Sequence, residues 1–456
     1  MAEAGPGRTA EPVRPRRGFP EGYLWGAGTS ALQHEGSPLA DGAGQSIMYR
    51  WAHTPGRVPA GQDFDVSADF YRRFRDDVRL MRQIGLRAYN FSTAWSRIVP
   101  DGRGRINPRG LDFYDALVDT LLEAEIAPLC NLYVFDHPAE LEDRGGWLNR
   151  DMARWFSDYA SVVYERLGDR VQYWTTMCEP RFLSHVGHVV GSHPPEKTDI
   201  TGGLRVLHHL LLGQGHAVQA FRAGGAKGRI GGQHLLIPVA AASDDERDIA
   251  AAERVDAYLN LSALDPQWRG AYPQVLIDWY GAAWPADGVG DHDLETIAAP
   301  VDFLGVDYYL SLTVRHSVSD PTGLFNAGLQ MAPVAGRTDA DGLRTALNWA
   351  RDHYRNPPIL LLEVGQAGHD TVNGDEVDDV ARQLHLHDML AGTHQAIQDG
   401  VDVRGSFVWS LLDGWEFGKG LSERYGLVHV DYRTQRRTVK RSGRWYRRTI
   451  ARNGWG

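Results

Sequence analysis

Eight short apolar runs, separated by longer stretches, constrain the fold of this chain more than any other feature. They lie at 23–30, 87–95, 127–134, 171–178, 229–237, 302–309, 358–364 and 403–412. Each reads as a buried strand, being short and rich in branched and aromatic residues. Phe70–Ile84 (FYRRFRDDVRLMRQI), 110–125, 153–167, 203–223 and 377–398 instead carry apolar residues at helical spacing. Asn107-Pro108 supplies a helix-start signal. Strands alternating with helices predict a parallel sheet, and eight of them predict closure into a single (β/α)8 TIM barrel, an α/β fold. An open doubly wound sheet would carry a glycine-rich phosphate loop after its first strand. GAGTSALQHEG lacks the GxGxxG spacing. The tract 311–341 is poor in apolar periodicity and reads as a long loop on the sixth strand, over the active-site face.

The domain reading is one barrel over 19–456, preceded by a disordered leader over 1–18 that has arginines and prolines but no apolar core like that of a secretory signal. No apolar run is long enough to span a membrane, so a soluble cytoplasmic protein is expected. The formal charge of −10 is spread along the chain, which argues against nucleic acid as partner. The two cysteines, Cys130 and Cys178, form no disulfide framework or zinc spacing, and no metal or cofactor is expected. The oligomeric state is not legible here.

Glu179 and Glu363 carry the chemistry. Glu179 follows the fourth strand in WTTMCEP (174–180) and Glu363 ends the seventh in PILLLEVG (358–365). Barrel active sites form at the C-terminal ends of strands, so these two carboxyls meet nearly across one mouth. Paired carboxyls of this kind suit glycoside cleavage, in which one protonates the leaving oxygen and the other attacks or activates water.

Several longer motifs sharpen this reading. FPEGYLWGAGTSALQHEG (19–36), FSTAWSRIVPDG (91–102), DRGGW (143–147), LDPQWRGAYP (264–273), DFLGVDYY (302–309) and VWSLLDGWEFGKGLSERYGLVHVDY (408–432) are present. On these the chain resembles family 1 glycoside hydrolases, the β-glucosidase type, from about residue 19 to 446. The resemblance implies that Glu179 is the acid/base and Glu363 the nucleophile of a retaining enzyme, whose carboxyls stand about 5 Å apart. It also implies that Gln33, Trp409 and Glu416 hold the glycone. Tyr309 then stands beside the nucleophile and Tyr425 near the sugar's exocyclic end.

The departures from the family pattern share a direction. The asparagine before the acid/base is Cys178, the His-Trp pair after the third strand is Val134-Phe135, and the second-strand arginine is Asn90. The asparagine before the paired tyrosines is Asp307, the residues flanking the nucleophile are Leu362 and Val364, and the last tryptophan is Phe417. Groups aimed at sugar hydroxyls have largely become apolar, and a site without such groups favours a ligand lacking the hydroxyls. The expectation is a small-molecule glycoside with a deoxygenated, methylated or aminated sugar, of the kind found on specialised metabolites, with Asp307 pairing any amino group. Loss of the arginine predicts a raised pKa for Glu363 unless another arginine reaches in. The alternative is a non-hydrolytic enzyme of natural-product biosynthesis (elimination, cyclisation, rearrangement or glycosyl transfer) that uses the same two glutamates for proton transfer. His137, His208, His209 and His216 read as packed or loop-satisfied residues, and His185, His188 and His193 as structural rather than metal-binding. Arg97 and Asp143 read as loop stabilisers.

Overall fold

A computed structural model describes residues 17–59, 61–319, 327–368 and 370–455. Eight parallel strands close into a barrel: β1 (Leu24–Gly28), β2 (Ala88–Ser92), β3 (Ala127–Asn131), β4 (Tyr173–Cys178), β5 (Arg229–Leu235), β6 (Phe303–Tyr308), β7 (Ile359–Val364) and β8 (Val403–Trp409). Each pairs with its successor in sequence, and β8 pairs with β1. All eight expected runs are strands, trimmed by up to three residues at an end where the chain turns off the barrel wall. Residues 1–16 of the expected leader lie outside the described residues. Arg17–Gly18, assigned to it, instead pairs antiparallel with Gly454–Trp455.

The helices between the strands follow from amphipathic patterning. Phe70–Ile84 buries Phe70, Phe74, Val78, Met81 and Ile84, one stripe at spacings of three and four, and ends at Gly85 in the left-handed region (φ 86°). Each such side chain contributes about 1.5–3 kcal/mol on burial. Pro108–Glu123, Met152–Leu167, Ile200–Ala223 and Val380–Gln398 fall where the periodicity places them. Glu246–Asp256, Ser262–Arg269 and Ala340–His353 are helices the patterning did not single out. No helix is long and apolar enough to cross a membrane among the described residues.

Inside the barrel, Ala88, Leu129, Phe303, Leu360, Leu362 and Phe407 form an apolar plug. One inward-facing position further along their strands stand Asn90 and Asn131, a polar layer directly below the strand ends.

The tract 311–341 is not a loop. Ser311–His316 and Met331–Arg337 form an antiparallel hairpin, extended by Val239–Ala241 into a three-stranded sheet. Its inner residues Leu312, Val314 and Met331 pack with Val255 and Tyr258 in a second core beside the barrel. Those contacts are with distant segments, so no local periodicity announces them.

Candidate active site

Glu179 owes its position to an unusual backbone. It follows β4 with φ 50° and ψ 54°, in the left-handed region, which costs a non-glycine residue about 1–2 kcal/mol. The turn is held from both sides. The Glu179 N–H donates to the Gln233 carbonyl at 2.9 Å, and the Leu183 N–H donates to the Glu179 carbonyl at 2.9 Å. Pro180, whose missing N–H is no loss in a first helical turn, opens the short helix that follows. Glu363 lies within β7, opposite Asp307 of β6.

Both glutamates line one cavity of about 320 Å³ at the C-terminal end of the barrel. Gln33, Val134, Phe135, Cys178, Tyr309, Trp409, Glu416, Phe417 and Tyr425 line it with them. The sequence reading had marked all of these. It had not marked Phe182, Leu235 and Leu310, which extend the apolar side of the cavity, nor the lining role of His193. Phe135 stands 5.4 Å from Phe417 and 5.9 Å from Phe182, centroid to centroid, and His193 stands 5.1 Å from Phe417. One wall is therefore aromatic.

Two site residues expected from sequence do not line the cavity. Asp307 is fully buried behind Glu363 and Cys178, and Asn90 is buried in the barrel, where its Oδ1 has no hydrogen-bond partner among the described residues. An amino group on a bound sugar therefore meets no Asp307 face, which removes the pairing suggested above. Leu362 belongs to the apolar plug and Val364 to the main core. Their change from the family pattern is a matter of packing, because their strand positions turn both side chains away from the ligand.

The surroundings of Glu363 are neutral donors. Tyr309 Oη donates to its Oε2 at 2.8 Å and Gln233 Nε2 to its Oε1 at 3.1 Å, with the Cys178 thiol 3.8 Å from Oε1. Gln233 Nε2 also lies 3.0 Å from each Asp307 oxygen. No arginine replaces the one missing at Asn90 among these contacts. The buried Arg181 lies instead beside Glu179 and draws its pKa down. Burial outweighs that pull and pushes Glu179 up to about 7. Burial, then the charge of Glu179, pushes Glu363 up to about 8, against the lowering effect of Tyr309 and Gln233. Asp307 is driven well above its ordinary value by burial and by both glutamates, and it shares a hydrogen bond with Glu179.

At the other end of the cavity Gln33 Nε2 donates to Glu416 Oε1 at 3.0 Å, and Ser30 Oγ donates to Gln33 Oε1 at 2.7 Å. Burial and the neighbouring Glu423 push Glu416 up to about 8. Cys178, Asp307 and Glu363 offer three metal-ligating atoms within 4.8 Å of one another. Burial and the surrounding carboxyls push the Cys178 thiol well above its ordinary value. His137 is satisfied within its loop by Tyr133 and Glu142, and Arg97 bridges Glu35 and the carbonyls of Gly36 and Ser37. Asp143 pairs with Arg50.

The sequence pattern of glycosyl hydrolase family 1 matches residues 16–455. The chain belongs to that family. It is a glycoside hydrolase, and its barrel is the family 1 barrel. The 1,4-beta-D-glucan glucohydrolase of Thermotoga neapolitana is 39% identical over 440 residues, covering 96% of this chain and 99% of that protein. The thermostable beta-glucosidase B of Thermobispora bispora is 43% identical over 443 residues, covering 96% of this chain and 91% of that protein. Among solved structures, the family 1 β-glucosidase of Thermotoga maritima superimposes with a TM-score of 0.91 at 38% identity, covering 97% of this chain and 99% of that one. The fold, the enzyme class and the barrel-mouth cavity of this family 1 hydrolase therefore agree with one another.

Proposed function

We propose that this family 1 hydrolase is a retaining β-glycosidase for a sugar poorer in hydroxyls than glucose, joined to an apolar aglycone of the kind found in specialised metabolites. The observation that carries this reading is the meeting of Glu179 and Glu363 in one cavity whose remaining walls include Val134, Phe135, Cys178, Leu235, Leu310 and Phe417. The carboxyl pair supplies the chemistry. The apolar walls leave few partners for hydroxyl groups, so each buried hydroxyl there loses its hydrogen bonds to water without replacement. Deoxy or O-methyl groups fit such walls. The aromatic surface of Phe135, Phe182 and Phe417 suits a flat apolar aglycone.

In the first step ionised Glu363 attacks the anomeric carbon while Glu179 gives its proton to the departing oxygen. The carbon–aglycone bond breaks as the carbon–carboxylate bond forms. In the second step Glu179, now a carboxylate, takes a proton from water. The water oxygen attacks the anomeric carbon and Glu363 leaves as a carboxylate. Glu179, pushed up to about 7, is well placed to hold a proton in the first step and lose it in the second. Gln33, Trp409 and Glu416 remain as the polar contacts for the hydroxyls the sugar keeps.

The test is a panel of aryl β-glycosides comprising glucoside, fucoside, 2-deoxy and O-methyl sugars, run with Glu363→Gln and Glu179→Gln. The expected result is preferential release from a deoxygenated or methylated sugar, abolished in Glu363→Gln. Glucoside turnover equal to that of every deoxygenated sugar would reject the specificity. Release that survives in Glu363→Gln would reject the nucleophile.

A further inference from the structure

The departure at Asn90 leaves a question of charge: what lets the buried Glu363 ionise beside two other carboxyls with no arginine in contact. The contacts around it run backwards in an unbroken line. The Tyr133 backbone N–H donates to Asn131 Oδ1 at 3.1 Å. Asn131 Nδ2 donates to Gln233 Oε1 at 2.8 Å. Gln233 Nε2 donates to Asp307 at 3.0 Å and to Glu363 Oε1 at 3.1 Å. Asn131, Gln233 and Asp307 are no more than 2% exposed.

The direction of this line is not arbitrary. A backbone N–H can only donate, so its partner on Asn131 must be the oxygen. That sets the Asn131 amide with its NH2 toward Gln233, and the Gln233 carbonyl must face it. The Gln233 NH2 is then left pointing at the two carboxyls. Reversing either amide would set donor against donor in a buried place.

We propose that this amide relay, from the Tyr133 backbone through Asn131 to Gln233, is the positioning device that holds Glu363 and presents it with positive partial charge in place of a cation. The proposal rests on Glu363 being the nucleophile. Aligned amides reinforce one another in a low-dielectric interior, and being already oriented they need no rearrangement when charge develops. A neutral relay also differs from an arginine in outcome. It leaves one proton within the Asp307–Glu363 pair instead of ionising both, because two adjacent carboxylates cannot both be charged cheaply. The donation from Gln233 acts to lower the pKa of Glu363 and of Asp307. Gln233 does not touch the cavity, so it acts through Glu363.

The experiment titrates the Glu363 carboxyl by 13C NMR in protein carrying carboxyl-labelled glutamate, the signal being assigned by its loss in Glu363→Gln. Wild type is compared with Gln233→Met, which keeps length and removes the amide, and with Asn131→Leu, which leaves Gln233 in place without its anchor. Gln233→Met is expected to move the Glu363 midpoint upward by about one pH unit and Asn131→Leu by less, in the same direction. On the best substrate, Gln233→Met should lower kcat by roughly tenfold to a hundredfold, most at low pH, with KM little changed. An unmoved midpoint in both folded variants, or a loss confined to KM, overturns the relay. Should Gln233→Met not fold, an unmoved midpoint in Asn131→Leu overturns it alone. Turnover persisting in Glu363→Gln overturns the nucleophile assignment instead, so the two failures are distinguishable.

Discussion

Tyr309 and Glu363 form a 2.8 Å hydrogen bond from the phenol to Oε2, the carboxylate oxygen that Gln233 leaves free. Each oxygen of Glu363 thus has a donor, Tyr309 on Oε2 and Gln233, with the weaker Cys178 thiol, on Oε1. In the proposed mechanism this clamp holds Glu363 in the orientation from which one oxygen attacks. A hydrogen bond to a charged group contributes about 1.5–3 kcal/mol. Tyr309→Phe is therefore expected to lower kcat about tenfold to a hundredfold with little change in KM, read by steady-state kinetics on the best aryl glycoside.

The pH profile follows from the same groups. In the proposed mechanism the first step needs Glu363 ionised, with its pKa raised to about 8, and Glu179 protonated, with its pKa raised to about 7. The group that must lose its proton is the weaker acid, so the active form is a minority at every pH, and kcat/KM should fall below about pH 7 and above about pH 8. The expected curve is a narrow bell centred between about pH 7 and 8. A broad maximum near pH 5 would contradict it.

Stability should depend on pH in the opposite sense to that of ordinary carboxylates. Glu363 binds its proton more tightly folded, at about 8, than the ordinary value of 4.5. The folded state therefore holds more protons between these values, and stability falls as pH rises. The contribution is fully present below about 4.5 and is lost as pH passes through about 8. Glu363→Gln should match wild type in Tm near the acidic end and exceed it near pH 9, as melting curves across that range will show.

Specificity should be movable at the cavity wall. Val134→His adds a donor where the resemblance places a sugar-contacting histidine. It should raise kcat/KM for the glucoside relative to the 2-deoxy and O-methyl glycosides, by about tenfold if one good hydrogen bond forms. Parallel assays of the panel measure the ratio. A fall for all sugars alike would mean only that the wall was disturbed.

A buried ion network braces the loops that carry the site. Lys440 Nζ lies 2.5 Å from Asp413 and 2.6 Å from Asp370, and Arg424 lies 2.6 Å from Asp413. Removing one partner of such a set leaves an uncompensated buried charge and costs about 3–5 kcal/mol. Lys440→Met should lose stability on that scale in denaturant unfolding.

Most of the barrel was legible because its signals are local. A strand buried on both faces must be apolar along its length, and a helix lying on the barrel must be apolar along one stripe, so β1 to β8 and Phe70–Ile84 declare themselves. The hairpin Ser311–His316 with Met331–Arg337 did not, since its apolar side is shared with Val255 and Tyr258 from another part of the chain. The site divides in the same way. Glu179, Glu363, Gln33, Trp409 and Glu416 stand in motifs distinctive enough to read. Gln233 was one polar residue in a strand and gave no sign of its role.

The order of residues thus settled the barrel and the pair of carboxyls at strand ends, because pattern and strand polarity are properties of the chain itself. It also settled that polar groups had been replaced around those carboxyls. Only the folded molecule decided which replacements meet a ligand. Val134, Cys178 and Phe417 line the cavity, while Leu362 and Val364 pack away from it and Asp307 stands behind Glu363. The reason is geometric: register between strands far apart in sequence determines whether a side chain faces the cavity or a neighbour. The same register brings Asn131 of β3, Gln233 of β5, Asp307 of β6 and Glu363 of β7 within hydrogen-bonding distance.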